Sequence, residues 1–139
     1  MDETISEILN TLKITVEQLA QFVNTTPAHI VEMRTRCCHA PMDPVARRLY
    51  ALERVSDLLS IFMSGDDINE SELLDVLQNA KITIDVENHE EEEGQKFYKS
   101  SLLELINVDP MNNYWLVLTE AAIGVHMNNK EQINKAEMN

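Results

Sequence analysis

Residues 15–33, TVEQLAQFVNTTPAHIVEM, decide the fold of this chain. Thr15 is a favourable N-cap, and Gln18 three residues later completes a capping box, so the sequence predicts that a helix follows Thr15. The polar run NTT then interrupts the helical pattern. Thr26 can cap the next helix with Pro27 in its first turn, where a missing backbone N–H costs nothing. The stretch therefore predicts two short helices joined by a tight polar turn.

The apolar residues of these two helices have the spacing of a helix-turn-helix. The small side chain of Ala20 permits the close crossing that such helices require, while Ile30 and Met33 are spaced to hold the second helix against the first. A recognition helix offers its outward face to the major groove of DNA. The residues that this spacing leaves facing outward are Thr26, Ala28, His29, Glu32 and Thr35.

One further helix is predicted on each side of this pair. After the pair, Asp43 as N-cap and Pro44 at the first helical position open a long helix, which the run SGDD at residues 64–67 ends. The sequence therefore predicts a domain of four helices over residues 1–64. The helix before the pair has an apolar stripe at i, i+3, i+4 and i+7, formed by Ile5, Ile8, Leu9 and Leu12.

This order of helices resembles the phage-repressor-like helix-turn-helix family of the Xre, Cro and cI type. The resemblance is carried by residues 15–33, by the helix before them, and by a Pro-containing connector followed by ARRLYALE, and it covers the first half of the chain. It implies a DNA-binding surface. The residues assigned to that surface are Thr26, Ala28, His29, Glu32, Arg34, Arg36, Arg47 and Arg48. The first four would face bases, and the arginines would contact phosphates.

Other interpretations of the same residues stay open. Residues 12–36 also fit a plain helical hairpin in a bundle, and folds of this kind serve as protein-binding modules as well. The arginines can form ordinary ion pairs on a helix surface. Arg47 and Arg48, however, lie at the start of a helix, where cations meet the unfavourable end of the helix dipole. A phosphate is one partner that would explain their position.

Charge is distributed unevenly along the chain. The formal net charge is −13, of which −2 falls in residues 1–64 and −11 in residues 65–139. All five arginines lie between residues 34 and 54. Proteins that bind nucleic acid over much of their surface are usually basic, so the acidic region 65–139 needs another role. We interpret it as a dimerisation domain or as a binding region for a basic protein partner.

Residues 65–108 mix helical and strand signals. Asn69 with Glu72 predicts another capping box, and residues 81–86 alternate and are β-branched as in a short strand. The acidic run ENHEEEEG at 87–94 predicts a solvated loop, and residues 101–108 have a helical pattern. The predicted fold class is therefore mainly α: a repressor-like four-helix domain followed by an acidic half that is helical or α+β.

The end of the chain leaves two alternatives. Asp109 and Pro110 can open a helix that runs through Trp115, although YWLVLT at residues 114–119 also fits a strand. The last twelve residues, NNKEQINKAEMN, lack apolar content, and we expect them to be frayed or disordered.

Composition and motifs exclude several functional classes. Cys37 and Cys38 are adjacent, which disfavours a structural disulfide and fits a reducing compartment; with His39 they lack the second ligand pair of a zinc site. Neither a Gly-rich phosphate loop nor a nucleophile elbow is present. No apolar run approaches the roughly 20 residues that cross a bilayer, and the acidic start is unlike a secretory signal. We expect a cytoplasmic protein that is not an enzyme and has no cofactor, metal or membrane association.

These observations predict a transcriptional regulator of phage, plasmid or bacterial type that binds double-stranded DNA sequence-specifically. We expect a homodimer, because two copies double the phosphate contacts of a weakly cationic module. The alternative is an acidic protein-binding factor, antitoxin-like or inhibitory, that uses a helix-turn-helix fold without reading DNA.

Overall fold

The computed structural model describes residues 1–35, 43–64, 70–85 and 97–138, and this part of the chain is mainly helical. The predicted mainly α fold class is therefore confirmed. The helices are α1 (Asp2–Leu12), α2 (Val16–Phe22), α3 (Pro27–Thr35), α4 (Pro44–Phe62), α5 (Glu70–Asn79), α6 (Leu102–Val108) and α7 (Trp115–Met138). The strands are β1 (Ile82–Asp85) and β2 (Phe97–Ser100).

Helices α2, α3 and α4 begin where their capping signals predict. Lys13 ends α1 in the left-handed conformation, with φ of 56°. Thr15 and Gln18 form the predicted capping box at the start of α2. The Asp43 carboxylate accepts hydrogen bonds from the backbone N–H groups of Val45 and Ala46, at 2.9 and 3.4 Å, with Pro44 at the first helical position of α4. Local side-chain to backbone bonds thus fix the starts of α2 and α4.

The two strands form a small antiparallel sheet beside the helices. Ile82 pairs with Ser100, and Asp85 pairs with Phe97. The predicted strand at 81–86 is confirmed within a residue at each end, whereas β2 was not predicted, because FYKS is too short to show an alternating pattern. The acidic run at 87–94, for which the sequence predicts a loop, lies outside the described residues.

The two C-terminal helices only partly follow the sequence predictions. The prediction of a helix at 101–108 is confirmed, and Ser101 with Glu104 forms a capping box there. The last helix begins at Trp115 instead of after Asp109, and the strand alternative for residues 114–119 is wrong. The expectation of a frayed end is also wrong, because α7 continues to Met138.

The long helix α4 packs against α1, α5, α6 and α7. The core is one apolar cluster that takes residues from both halves of the chain. Its largest fully buried side chains are Ile5, Ile8, Leu12, Leu19, Ile30, Met33, Leu49, Leu52, Leu59, Leu77, Leu102 and Ile106. The predicted division into domains 1–64 and 65–139 thus separates segments that pack together, and their independence stays a prediction. None of the described helices has both the length and the apolar content to cross a membrane.

Candidate functional site

The turn between α2 and α3 has the hydrogen bonds of a Schellman motif. Asn24 has φ of 56°, the left-handed conformation that such a turn needs. The Thr25 N–H donates to the Ala20 carbonyl at 2.9 Å, and the Asn24 N–H donates to the Gln21 carbonyl at 3.3 Å. Glycine adopts this conformation most readily, and asparagine comes second among the residue types. The turn therefore reverses the chain within a few residues and sets the angle at which α3 leaves α2.

The last carbonyls of α2 are bound by side chains from distant parts of the chain. Asn107 of α6 donates from Nδ2 to the Phe22 carbonyl at 2.7 Å, and Arg48 of α4 donates from Nη1 to the Val23 carbonyl at 3.0 Å. The side chain of Asn24 in turn donates from Nδ2 to Asn107 Oδ1 at 3.2 Å. Helix ends leave such carbonyls without intrahelical partners. Helices α4 and α6 therefore both hold the turn between α2 and α3 in place.

Helix α3 has one buried and one exposed face. The side chains of Ile30 and Met33 are buried in the core, as the sequence predicts. Thr26 caps the helix, because its Oγ1 accepts a hydrogen bond from the His29 N–H at 3.2 Å. The exposed face carries Ala28, Val31, Glu32 and Thr35 beside the half-buried His29. Four of the residues assigned to base contacts, namely Thr26, Ala28, His29 and Glu32, thus lie together at the start and outer face of α3.

The arginines assigned to phosphates do not form one patch with that face. Arg34 donates from Nε to Asp2 Oδ1 at 2.8 Å and from Nη2 to Ser6 Oγ at 3.1 Å, which ties α3 to α1. Arg48 is occupied by the end of α2. Arg47 lines a separate groove against the segment before α7. Arg36 lies outside the described residues, as do Cys37 and Cys38.

Comparison with family models, curated proteins and solved structures finds no match for this chain. The functional argument therefore rests on the geometry of the chain itself.

A second cluster of charged side chains joins α5 to α7. His126 lies between two carboxylates, with Nε2 at 3.4 Å from Glu72 Oε1 and Nδ1 at 3.2 Å from Asp75 Oδ2. Lys130 donates to Glu72 Oε1 at 2.7 Å, and this hydrogen bond lowers the pKa of Glu72. Sequence patterns missed this cluster because each of its pairs joins residues more than 50 positions apart in the sequence, one on α5 and one on α7.

This cluster borders a groove of about 550 Å³ between α5 and α7. Its charges pair with one another, which holds the two helices together. No group of three or more side chains in the described ranges has the arrangement of a metal site. The cluster thus has a structural explanation, and α3 remains the better candidate for a functional surface.

Proposed function

We propose that this protein is a transcriptional regulator that binds double-stranded DNA through helix α3. The observation that carries the proposal is the pairing of α2 and α3 through a tight turn, with the outer face of α3 exposed. A helix held in this way can enter the major groove, which is wide enough for an α-helix. Thr26, Ala28, His29 and Glu32 face the bases in this proposal.

Glu32 indicates which base the proposed DNA site contains. A carboxylate in the major groove can accept a hydrogen bond from the amino group of cytosine, and it is repelled by phosphate elsewhere. Ala28 offers a methyl group, which suits contact with the methyl group of thymine. We therefore propose a site whose half-sites contain a C·G pair opposite Glu32. A homodimer belongs to this proposal, since a second copy supplies the second half-site.

Phosphate contacts are expected to be few. Arg34 and Arg48 already bind Asp2, Ser6 and the Val23 carbonyl, so they are poor candidates for phosphate. Fewer phosphate contacts mean a smaller loss of affinity with added salt, because each contact releases condensed counterions. The proposed complex therefore depends on base contacts more than on charge.

A protein-binding factor is the second candidate, and the internal bonds of Arg34 and Arg48 favour it. With these two cations occupied, the exposed face of α3 offers the apolar Val31, which is 53% exposed, beside the acidic Glu32. Such a face suits contact with a basic protein. In this alternative the chain is an acidic, antitoxin-like or inhibitory factor whose region 65–139, net −11, adds to the attraction.

A binding titration with DNA fragments from the native host at two salt concentrations separates the two candidates. A regulator should prefer a few fragments and should keep that preference at the higher salt concentration. A protein-binding factor should bind all fragments equally weakly, and its affinity should fall with salt in the same way for each fragment. Light scattering of the free chain and of the complex, measured in parallel, tests for the homodimer.

A further inference from the structure

The N-terminal half of α7 is apolar on all sides. Residues 115–125, WLVLTEAAIGV, contain one charged side chain, Glu120. One side of α7 packs against α4, α5 and β1. The buried side chains of this stretch are Trp115, Thr119 and Ala122. The other side is open, with Leu116 at 46% and Val117 at 62% exposure. A helix that is apolar all round is normally covered all round, so the open side indicates a further contact.

The open side of α7 has a continuous strip of uncharged residues. Val117, Ala121, Gly124 and Asn128 are three or four positions apart, so they follow one another on one face of the helix, and all four are exposed. A Cβ at Gly124 would meet no atom of the described residues within 4 Å. Alanine would therefore stabilise the single chain at this position, because glycine inside a helix costs stability. The missing side chain suits the close approach of a second helix.

A second copy of the same chain is the partner that fits this strip. Each copy has a formal net charge of −13, so two copies repel one another over most of their surface. The strip itself has no charge, and Glu120 lies beside it, at the position of a polar rim. Two acidic molecules can therefore meet here without placing carboxylates at the centre of the contact. A basic protein would gain more from the acidic surfaces elsewhere on the chain.

The strip is also complementary to itself. When two α7 helices lie antiparallel about a two-fold axis at Ala121, residues at equal distances from Ala121 lie opposite one another. Val117 of one copy then meets the space beside Gly124 of the other. Tyr114, which is 68% exposed, lies opposite Asn128, whose side-chain amide can bond to the tyrosine hydroxyl. Small residues at the crossing permit the shorter end of the usual spacing of about 8–10 Å between packed helix axes.

We propose that α7 pairs antiparallel with α7 of a second copy and that this strip is the centre of a homodimer interface. The proposal deepens the homodimer of the proposed function, because it names the surface. The face from Tyr114 to Glu131 is about 26 Å long. A single helix face of this length suits the weak class of interfaces, which bury less than about 600 Å² on each partner. We therefore expect a dimer that dissociates on dilution through the micromolar range.

Sedimentation equilibrium of the full chain, measured without DNA over a range of concentrations, tests the proposal. We expect a monomer–dimer equilibrium that Val117→Asp weakens at least tenfold, because the variant buries a carboxylate at the centre of the contact. Val31→Asp is the matched control, since it changes an exposed valine on α3, and it should associate like the parent. Added salt should strengthen the association, because it screens the repulsion between two acidic chains.

Variants at positions 117 and 124 test the register of the two helices. Gly124→Ala should raise the Tm of the dilute monomer, yet it should weaken the dimer several-fold, because its methyl group enters the space that Val117 occupies. Val117→Ala makes room for that methyl group. The double variant should therefore associate more tightly than the two single effects predict when they are added. Asn129→Ala changes an exposed residue of α7 outside the strip and should not weaken the dimer.

Three results would overturn the proposal. The first is a monomer throughout the micromolar range, which would remove the dimer without deciding whether α3 binds DNA. The second is an association that Val117→Asp leaves unchanged, that Val31→Asp weakens equally, or that added salt weakens. The third is simple additivity of Gly124→Ala and Val117→Ala, which would show that these residues do not meet across the interface. Circular dichroism of each variant checks that the fold is retained.

Discussion

Asn24 sets the direction of α3 through its left-handed backbone, with φ of 56°. A residue with a Cβ pays about 1–2 kcal/mol in this conformation, glycine pays nothing, and asparagine lies between them. The side chain of Asn24 also bonds to Asn107, and both glycine and alanine lose that bond. The difference between these two variants therefore isolates the backbone conformation.

We predict that Asn24→Gly is more stable than Asn24→Ala by about 1 kcal/mol in free energy of unfolding, measured by urea denaturation. Asn10 is a matched control, because it is an exposed asparagine within α1. There the order should reverse, since glycine inside a helix is less stable than alanine by about 0.5–1 kcal/mol. If alanine were more stable than glycine at both positions, the turn would not need a left-handed residue at Asn24.

Asp57 on α4 is destabilised in its ionised form. Burial raises its pKa above the usual 3.8, and the nearby carboxyl group of Glu7 on α1 raises it further. A raised pKa in the folded state means that the contribution of Asp57 to stability is fully present below its unfolded-state pKa. That contribution is lost as pH rises through the folded-state pKa.

We predict that Asp57→Asn is more stable than the parent at neutral pH and that this advantage disappears at acidic pH, where Asp57 is protonated. Glu104→Gln is the control of opposite sign, because hydrogen bonds from Lys81 and Ser101 lower the pKa of Glu104. That variant should be less stable than the parent at neutral pH, and its deficit should shrink as pH falls through the lowered pKa. Urea denaturation across pH measures both. A pH-independent effect of Asp57→Asn would contradict this explanation.

Helix starts could be predicted from the sequence wherever a side chain caps its own helix. Thr15 and Asp43 accept bonds from backbone N–H groups within three residues, so the signal is local. The course of α7 could not be predicted in this way. Its C-terminal half has little apolar content, and Lys130 and His126 reach α5 across more than 50 residues of sequence. The hydrogen bond that occupies Arg34 could not be predicted either, because its partner Asp2 lies 32 residues away in the sequence.

Helix α6 supports the turn between α2 and α3 through one side chain. Asn107→Ala would leave the Phe22 carbonyl without its donor. We predict a loss of about 1–2 kcal/mol in free energy of unfolding, together with faster hydrogen exchange at the Thr25 amide. Asn10→Ala removes an exposed asparagine on α1, where alanine favours the helix, so it should neither lower the free energy of unfolding nor speed exchange at Thr25. Unchanged exchange at Thr25 in Asn107→Ala would mean that the turn is stable without α6.

The whole molecule shares one core between its two halves. Helix α4 packs against α6 and α7 as well as α1, so a fragment of residues 1–64 would expose apolar surface that the full chain buries. We predict that this fragment is helical but melts without the cooperative transition of the full chain, as followed by circular dichroism. Cooperative melting of the fragment at a similar temperature would instead support two independent domains with a boundary between residues 64 and 65.

The central claim is that the outer face of α3 reads base sequence. Glu32→Gln and Glu120→Gln each remove one exposed negative charge, but only Glu32 lies on α3. The decisive measurement selects preferred sites from a random DNA library with the parent and with each variant at one salt concentration. We predict that Glu120→Gln selects the same sites as the parent, whereas Glu32→Gln loses the preference at one base pair in each half-site, a change of about 1–3 kcal/mol. No enriched site for the parent, or the same site for all three proteins, would contradict the claim.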